Sequence, residues 1–343
     1  MRAPRFWERK SPSLPARLLS PAAAIYGRVA ASRMRRPGRR AEIPVLCVGN
    51  FTAGGAGKTP TALAIAEILT EAGETPAFLS RGYGGRLAGP VQVRIDHTAA
   101  DVGDEPLLLA GMAPTVVSRD RPRGAGLAVE TGATVIVMDD GLQNPSLLKD
   151  GAIAVIDGAT GIGNGLPLPA GPLRAPMEAQ WPAVDAVVVI GEGEPGTALA
   201  AEAERRGKRA FRGVLEPDPA VVESLSGRPL LAFAGIGRPD KFFATLRACG
   251  LTVAQAVAFA DHHAFDASDI ASLKGEAERR GLQPVTTEKD LVRIEGAAAL
   301  PPWPELRALP VRLRLEDPQS FRRFLLRRIA GRRTGLPPDA PSG

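Results

Sequence analysis

A glycine-rich stretch near the N-terminus has the residue types needed to hold a nucleoside triphosphate. It follows the apolar run 43–49 and precedes the helix-compatible stretch 61–69. A strand, a loop of small residues and a helix N-terminus direct backbone N–H groups toward phosphate oxygens, while a lysine adds a mobile cation and a hydroxyl can bind Mg²⁺. The residues expected to bind ATP are Thr52, Ala53, Gly54, Gly55, Ala56, Gly57, Lys58 and Thr59.

The loop differs from the usual G-x-x-x-x-G-K-[ST] pattern at its first position, where Thr52 replaces glycine, and Pro60 follows it directly. A flexible glycine linker could contain Lys-Thr by chance. The strand-compatible run before the loop and the helix-compatible run after it favour a phosphate-binding loop instead.

Two adjacent carboxylates, Asp139 and Asp140, follow the apolar run 134–138. Such a run is typical of a buried strand, and ligands bind at the carboxyl edge of open α/β sheets. A P-loop enzyme places there the acid that holds Mg²⁺. A solvated turn is the alternative, but the upstream phosphate loop favours a metal site formed by both carboxylates together with Thr59.

Other candidates for proton transfer are an acid at a helix start and a pair of histidines. Asp104 opens a helix-compatible stretch, where it could cap the helix or accept a proton from an attacking hydroxyl, with Glu105 as a second candidate. His262 and His263 follow Asp261, and a neutral imidazole beside an acid suits proton transfer near pH 7, although these rings could merely pack. Neither a cysteine nor the third histidine lies at ligand spacing, so zinc is not expected.

Two loops combine glycine with arginine. Arg81 and Arg86 lie in the first, after the strand-compatible run 76–80, and Arg174 ends the second, 168–174. A guanidinium fork can bind phosphate. Arg81 and Arg174 are therefore candidates for contact with phosphate or substrate.

The elements that must position these residues alternate along the chain. Short β-branched runs at 76–80, 114–118, 134–138, 152–156 and 186–190 are apolar throughout, as in strands buried on both faces, and helix-compatible segments separate several of them. The pattern predicts an α/β fold: a P-loop NTPase core with a mostly parallel sheet flanked by helices.

Further alternation near the C-terminus predicts a second, smaller α/β unit with strands near 229–237, 253–259 and 284–287, then a terminal helix near 318–332. The predicted organisation is a basic N-terminal segment 1–40, a kinase core 41–212, a C-terminal α/β subdomain 213–333 and a flexible tail 334–343.

The net charge of +6 is concentrated at the N-terminus. Residues 1–40 hold eleven Lys or Arg and one acid, whereas the remainder holds 32 basic and 36 acidic side chains. Nucleic-acid binding by the body of the protein is therefore not expected. Ser20 and Pro21 resemble a helix start, and the segment predicts a short basic amphipathic helix on an anionic membrane surface, with a solvated helix packed on the domain as the alternative.

Cys47 and Cys249 lie in apolar contexts and are expected to be buried thiols.

Taken together, the ordered motifs resemble the tetraacyldisaccharide 4'-kinase family of lipid A biosynthesis over most of the chain. Thr52 and Pro60 are features of that family's loop. The matching segments are 48–60 (VGNFTAGGAGKTP), 80–84 (SRGYG), 103–106 (GDEP), 139–143 (DDGLQ), 168–174 (LPAGPLR), 233–237 (FAGIG), 261–263 (DHH) and 286–290 (TTEKD).

The resemblance implies transfer of the ATP γ-phosphate to the 4'-hydroxyl of tetraacyldisaccharide 1-phosphate, which gives the lipid A precursor lipid IVA, at the cytoplasmic face of the bacterial inner membrane. It implies that Lys58 binds phosphates, that Mg²⁺ is held as described above, and that Asp104 accepts the proton with help from His262 or His263, of which His262 is favoured. Asn144 and Ala175 depart from residues common in the family, so roles for those positions are not expected.

Two other activities share some of these features. A GTP-dependent switch or metallochaperone usually needs Asn-Lys-x-Asp, whereas 288–290 here reads Glu-Lys-Asp with no intervening residue. A P-loop kinase acting on a different small-molecule or lipid hydroxyl stays open, although a soluble acceptor would not require the cationic N-terminus. Neither the oligomeric state nor the acyl-chain preference follows from the sequence.

Overall fold

The structure, a computed structural model, describes residues 4–9, 11–296 and 300–335. Its strands in chain order are β1 (Val45–Gly49), β2 (Pro76–Ser80), β3 (Val91–Gln92), β4 (Thr115–Val117), β5 (Val135–Asp139), β6 (Gly151–Asp157), β7 (Ala186–Ile190), β8 (Arg209–Pro217), β9 (Leu230–Ala234), β10 (Val253–Ala258), β11 (Gln283–Thr287), β12 (Arg307–Leu309) and β13 (Val311–Leu315).

Helices connect most of these strands. In chain order they are α1 (Leu14–Met34), α2 (Lys58–Glu71), α3 (Ala99–Val102), α4 (Asp104–Ala110), α5 (Arg121–Glu130), α6 (Met177–Gln180), α7 (Glu194–Arg205), α8 (Pro219–Leu225), α9 (Pro239–Ala248), α10 (Ala267–Arg280), α11 (Glu288–Glu295) and α12 (Pro318–Thr334).

The larger unit is built on a sheet that, within the described residues, has nine strands in the order β13-β8-β7-β6-β1-β5-β2-β4-β3. Every pairing from β8 to β4 is parallel, and only the edge strands β13 and β3 pair antiparallel. The central strands are buried on both faces, where two apolar clusters cover them. The predicted mostly parallel α/β sheet is therefore confirmed, and its cause is the near-continuous Val and Ile content of the strands.

The smaller unit contains a parallel sheet which, among the described residues, has four strands in the order β10-β9-β11-β12. One face packs against α9 through Phe242, Phe243 and Leu246, and the other packs against α10 through Ile270 and Leu273. This unit matches the predicted second α/β alternation.

The division between the two units differs from the predicted boundary at 212/213. That boundary falls inside β8, a strand of the large sheet, and the chain returns to the large sheet after β12 because β13 pairs with β8. Helix α12 then buries Phe321 and Leu325 in the core of the larger unit. The smaller unit thus spans α8 to β12 rather than 213–333, and of the predicted tail only Thr334, the end of α12, and Gly335 lie within the described residues.

Helix α1 begins at Leu14, not at the predicted Ser20-Pro21. Ser13 occupies the N-cap position, Pro21 lies inside the helix, and the Ser20 hydroxyl donates to the Ala16 carbonyl at 2.9 Å instead of capping. No helix within the described ranges is both long and apolar enough to cross a bilayer.

Both cysteines are free thiols; Cys47 is buried as predicted, whereas Cys249 is only half-buried.

Candidate active site

The phosphate loop joins the central strand β1 to α2, as the sequence predicts. Lys58 and Thr59 form the first turn of α2, and both side chains are buried. Gly57 precedes the helix with φ of 90°, and a Cβ there would approach Ile190 Cδ1 to 2.6 Å. Only glycine fits this position without displacing its neighbour. The first-turn amides of α2 thus open toward the carboxyl edge of the sheet, where an anion is stabilised.

A second loop, 168–174, lies along the phosphate loop in a short antiparallel pairing of Thr52 with Leu173. Ala53 N donates to Pro172 O at 2.7 Å, and Arg174 N donates to Phe51 O at 2.9 Å. The Arg174 side chain then reaches Thr52 O at 3.1 Å and Asp140 Oδ2 at 3.0 Å. Arg174 is thereby held at the phosphate loop, where its guanidinium can also meet phosphate oxygens.

The predicted carboxylate pair lies at the end of β5, beside β1, with Asp139 in register with Val48. Asp139 is buried, and burial, reinforced by the charges of Glu105 and Asp140, raises its pKa to about 7. Burial acts on Asp140 in the same direction, but Lys58, at 3.8 Å, and Arg174 outweigh it and hold the Asp140 pKa below its usual range. Two neighbouring carboxylates therefore experience opposite electrostatic environments.

These carboxylates fit a Mg²⁺ ion. Both Asp139 oxygens and Asp140 Oδ1 are buried without a hydrogen-bond partner among the described residues. A buried, unpaired carboxylate is costly unless a cation or proton neutralises it. No group of three or more His, Cys, Asp or Glu side chains in the described part of the chain is arranged to hold a metal by itself. That is expected for Mg²⁺, which takes one or two carboxylates and completes its shell with water and substrate phosphates.

Asp104 lies in the first turn of α4 and is buried. It does not cap the helix at the N-cap position, which Gly103 occupies with φ of 90°. Its Oδ2 contacts Arg293 Nη2 and lies 3.5 Å from His262 Nδ1. Burial alone would raise the pKa of Asp104, but His262, Arg293 and Lys289 together hold it well below its usual range. Asp104 is thus ionised and faces the smaller unit.

The two predicted histidines point to different partners. His262, with φ of 56°, turns its ring toward Asp104, and its contact with that carboxylate raises its pKa against the opposing effect of burial. His263 instead binds Asp269 Oδ2 at 2.7 Å and stacks on Phe259. The structure therefore brings His262, and not His263, to Asp104.

Helix α11 brings two further cations to Asp104 and its neighbour. Lys289 Nζ lies 2.6 Å from Glu105 Oε1, and the nearby acids raise the pKa of Lys289 against the effect of burial. We call Asp104, His262, Lys289 and Arg293 the proton half of the site. We call residues 52–59 with Asp139, Asp140 and Arg174 the phosphate half.

The remaining arginines of the predicted loops differ in their surroundings. Arg81 is exposed at the edge of the sheet after β2 and forms no ion pair with a residue of the described ranges. Arg86 is bound to Asp101, with Nη2 at 2.6 Å from Oδ1. Among the described residues, neither side chain is hydrogen-bonded or ion-paired to the phosphate half, so the role predicted for Arg81 stays a prediction.

Several residues of the site were missed by sequence reasoning. Arg121 is buried beneath the carboxylate pair and donates to Asp139 O at 3.2 Å. Gln180 is buried and donates to Phe51 O at 3.2 Å and Ala175 O at 2.7 Å, and Gln143 bonds both Gln180 and Asn50 O. The motif 286–290 contains Lys289 but not Arg293, and nothing in its spacing showed which element α11 would contact.

The two residues that depart from the family, Asn144 and Ala175, form local hydrogen bonds. Asn144 Oδ1 accepts bonds from the backbone and hydroxyl of Ser146 in a local turn. Ala175 is buried, and its carbonyl accepts from Gln180.

Comparisons with known proteins agree on one family. The family model for LpxK, described as tetraacyldisaccharide-1-P 4'-kinase, matches residues 15–330. A tetraacyldisaccharide 4'-kinase of Methylobacterium sp. (strain 4-46) is 60% identical over 335 residues, which cover 97% of this chain and 99% of the relative. The corresponding kinase of Bradyrhizobium sp. (strain BTAi1) is 54% identical over 339 residues, or 98% of each chain.

A solved structure shows the same fold. The LpxK chain from Aquifex aeolicus, determined in complex with ATP, superposes with a TM-score of 0.70 and is 25% identical. The match covers 92% of this chain and 99% of the Aquifex chain.

Proposed function

The chain belongs to the tetraacyldisaccharide 4'-kinase family and is an ATP-dependent kinase of lipid A biosynthesis, and from this premise we propose how its residues carry out the transfer. The γ-phosphate of ATP passes to the 4'-hydroxyl of tetraacyldisaccharide 1-phosphate, and the product is lipid IVA. The phosphate half binds the triphosphate, and the proton half receives the sugar hydroxyl.

The observation that carries this proposal is that charged groups of the two halves lie close enough to affect each other electrostatically. The pKa of Asp139, in the phosphate half, is raised by Glu105 and lowered by Lys289 of the proton half, which are ion-paired to each other. A nucleotide cradle and an ionised carboxylate–imidazole pair therefore lie within electrostatic reach of each other. Such a pair serves a kinase, whose acceptor hydroxyl must release a proton, and a binding module has no need of it.

In the proposed reaction, the first-turn amides of α2 and Lys58 bind the β- and γ-phosphates, while Arg174 neutralises charge beside Asp140. Thr59, Asp139 and Asp140 would hold Mg²⁺, which when bound neutralises phosphate charge. The sugar 4'-oxygen attacks the γ-phosphorus, the bond from that phosphorus to the β–γ bridging oxygen breaks, and ADP leaves. The hydroxyl proton passes to Asp104.

A carboxylate with a lowered pKa can serve as this acceptor. In the loose transition state of phosphoryl transfer, little bond to the attacking oxygen has formed, so the hydroxyl loses its proton late. Asp104 then acts first by orienting the hydroxyl through a hydrogen bond. His262, 3.5 Å from the same carboxylate, stabilises the ionised state of Asp104 before transfer.

The test of this function is incubation with γ-labelled ATP, Mg²⁺ and tetraacyldisaccharide 1-phosphate in detergent micelles. We expect label in the lipid product. Transfer to a soluble sugar acceptor but not to the lipid would favour the alternative P-loop kinase. A folded, ATP-binding sample that labels neither acceptor would contradict the proposal.

We also propose that α1 attaches the enzyme to the anionic cytoplasmic face of the inner membrane as a peripheral protein. Leu14 and Leu18 are 71% and 74% exposed on α1, and Ile25 and Val29 are exposed further along the same helix. Ala16, Ala23 and Gly27 are its buried residues. Apolar side chains left uncovered on a helix rich in arginine suit the boundary between headgroups and acyl chains.

Cosedimentation with anionic liposomes at low salt tests the attachment. Deleting residues 1–36 should release the protein, and the double substitution Leu14→Asp/Leu18→Asp should weaken binding at least about tenfold, because burial of each leucine is worth about 2 kcal/mol. Met112→Asp, which alters an exposed apolar residue outside α1, should leave binding unchanged. A truncated protein that still sediments would place the attachment elsewhere.

A further inference from the structure

A buried arginine connects Asp104 to the smaller unit. Arg293 lies on α11, and its side chain is 8% exposed. Its Nη1 donates to Asp290 Oδ1 at 2.7 Å and to Gly235 O at 2.8 Å, both within the smaller unit. Its Nη2 contacts Asp104 Oδ2 in the larger unit and lies 3.3 Å from His262 Nδ1. One planar group thus touches both members of the carboxylate–imidazole pair.

We propose that Arg293 is the positioning residue of the proton half, fixing the Asp104 carboxylate against His262 and making its geometry depend on how the smaller unit docks. The proposal rests on the proposed function of Asp104. Arg293 need not touch either substrate. It acts through Asp104, because a guanidinium presents its N–H donors in a rigid plane and so fixes the direction of a bound carboxylate.

The smaller unit holds Arg293 firmly enough for this role. Asp290, its anchor, is buried and accepts from Gly235 N at 3.1 Å and from the Thr287 hydroxyl at 2.7 Å. Thr287 in turn caps the N-terminus of α11 by accepting from Asp290 N. Nη1 is therefore fixed by the fold of the smaller unit, and the same guanidinium plane directs Nη2 to Asp104 of the larger unit.

The charges around Asp104 give this arrangement a measurable signature. His262 faces it from the β10–α10 segment, Lys289 and Arg293 face it from α11, and Glu105 follows it on α4. Asp290 lies behind Arg293. Without Arg293, burial of Asp104 is opposed chiefly by His262 and Lys289, so the pKa of Asp104 must rise. The pKa of His262 must rise as well, because Arg293 is the nearby cation that lowers it.

Histidine NMR titration of the ligand-free enzyme measures this effect without requiring activity. The chain has only three histidines, so His→Gln variants can assign each signal. In Arg293→Met, we expect the His262 pKa to rise by about one unit, as for loss of a charge within hydrogen-bond range. The matched control is Arg312→Met. Arg312 lies on β13 and forms an exposed ion pair with Glu288, which is on α11 like Arg293, so the substitution should leave the His262 pKa unchanged.

The kinetic arm distinguishes positioning from a purely structural role. Arg293→Met should lower kcat by about 10- to 100-fold, as expected when a catalytic group is slightly misplaced, while KM for ATP changes little. Arg293→Lys keeps the charge but loses the fork and should fall between wild type and Arg293→Met. Should Arg293→Met fail to fold, Asp290→Asn/Arg293→Met removes the carboxylate left unpaired and takes its place.

The outcomes separate this proposal from the function on which it rests. A folded Arg293 variant that keeps the wild-type kcat, or an unchanged His262 pKa, overturns the role of Arg293. A wild-type enzyme that transfers no phosphate to the lipid overturns the proposed function instead, and the NMR titration still reports whether Arg293 organises the pair.

Discussion

The phosphate half and the proton half of the site are built in different ways. The phosphate half lies at the carboxyl ends of two adjacent parallel strands, β1 and β5, and its loops are held by backbone hydrogen bonds within the larger unit. The proton half is assembled from both units, since Asp104 lies on α4 whereas its partners lie on α11 and the segment before α10. The first half depends on local sheet geometry, and the second depends on docking.

The two halves nevertheless share one structural device. Among the described residues, the non-glycine positions with positive φ are Asp140 and His262, one in each half. Left-handed backbone costs such residues about 1 to 2 kcal/mol and persists only where the surroundings enforce it. At Asp140 the carboxylate meets Lys58 and Arg174, and at His262 the ring meets Asp104. The cost is therefore concentrated where the two halves face each other.

The largest expected effect, a loss of turnover without a loss of ATP affinity, comes from Asp104→Ala. Turnover should fall by about 10² to 10⁴, because the hydroxyl loses its proton acceptor. The dissociation constant for ATP should change little, since the hydrogen bonds and ion pairs of Asp104 are with Glu105, His262 and Arg293 and not with the phosphate half. Single-turnover kinetics and ATP titration of the same sample measure the two effects.

Asp104→Asn serves as the shape-matched companion of this variant. It keeps a polar group facing Arg293 but removes the charge, so its turnover should be as low as that of Asp104→Ala. Unchanged turnover in either variant would remove Asp104 from the mechanism. A large loss of ATP affinity would show instead that the halves are not independent.

The contrast between the halves also explains what the sequence could reveal. Lys58, Asp139 and Asp140 were predictable because a loop motif or a strand end places each one, and both signals span only a few residues. The contact of Arg293 with Asp104 joins positions 189 residues apart. No periodicity encodes how α11 docks onto α4. The return of β13 to the large sheet was missed for the same reason, since edge pairing leaves no local pattern.

The residue types alone did not separate His262 from His263, because the two are neighbours in one segment, and His262 was favoured only alongside the family resemblance. The left-handed backbone at His262 decides it by directing the two rings to different partners. Gln180 was hidden in a different way. A buried amide bonding backbone carbonyls supports the phosphate loop, but in sequence it is an ordinary polar residue of a short helix.

The next smaller effect should come from Lys58→Met, which tests the phosphate half. Loss of this cation should lower turnover by about 10² to 10³, as for removal of one preorganised donor to developing charge. Unlike Asp104→Ala, it should also weaken ATP binding. ATP titration and steady-state kinetics provide the comparison, with Lys274→Met on α10 as a control that should affect neither. An unchanged ATP affinity in Lys58→Met would contradict the assignment of Lys58 to phosphate binding.

The smallest expected effect is a pH-dependent change in stability from His262→Gln. The folded-state pKa of His262 is raised, chiefly by its contact with Asp104, so the imidazolium contributes stability below its unfolded pKa of about 6.5. That contribution is lost as pH rises through the folded pKa. The ring is 42% exposed, so solvent screens much of the effect. We expect His262→Gln to lower Tm by about 1 to 2 °C at pH 5.5 and by less at pH 9. His97→Gln, outside the site, is the control; an equal Tm loss at both pH values would show that His262 stabilises the docking by packing alone.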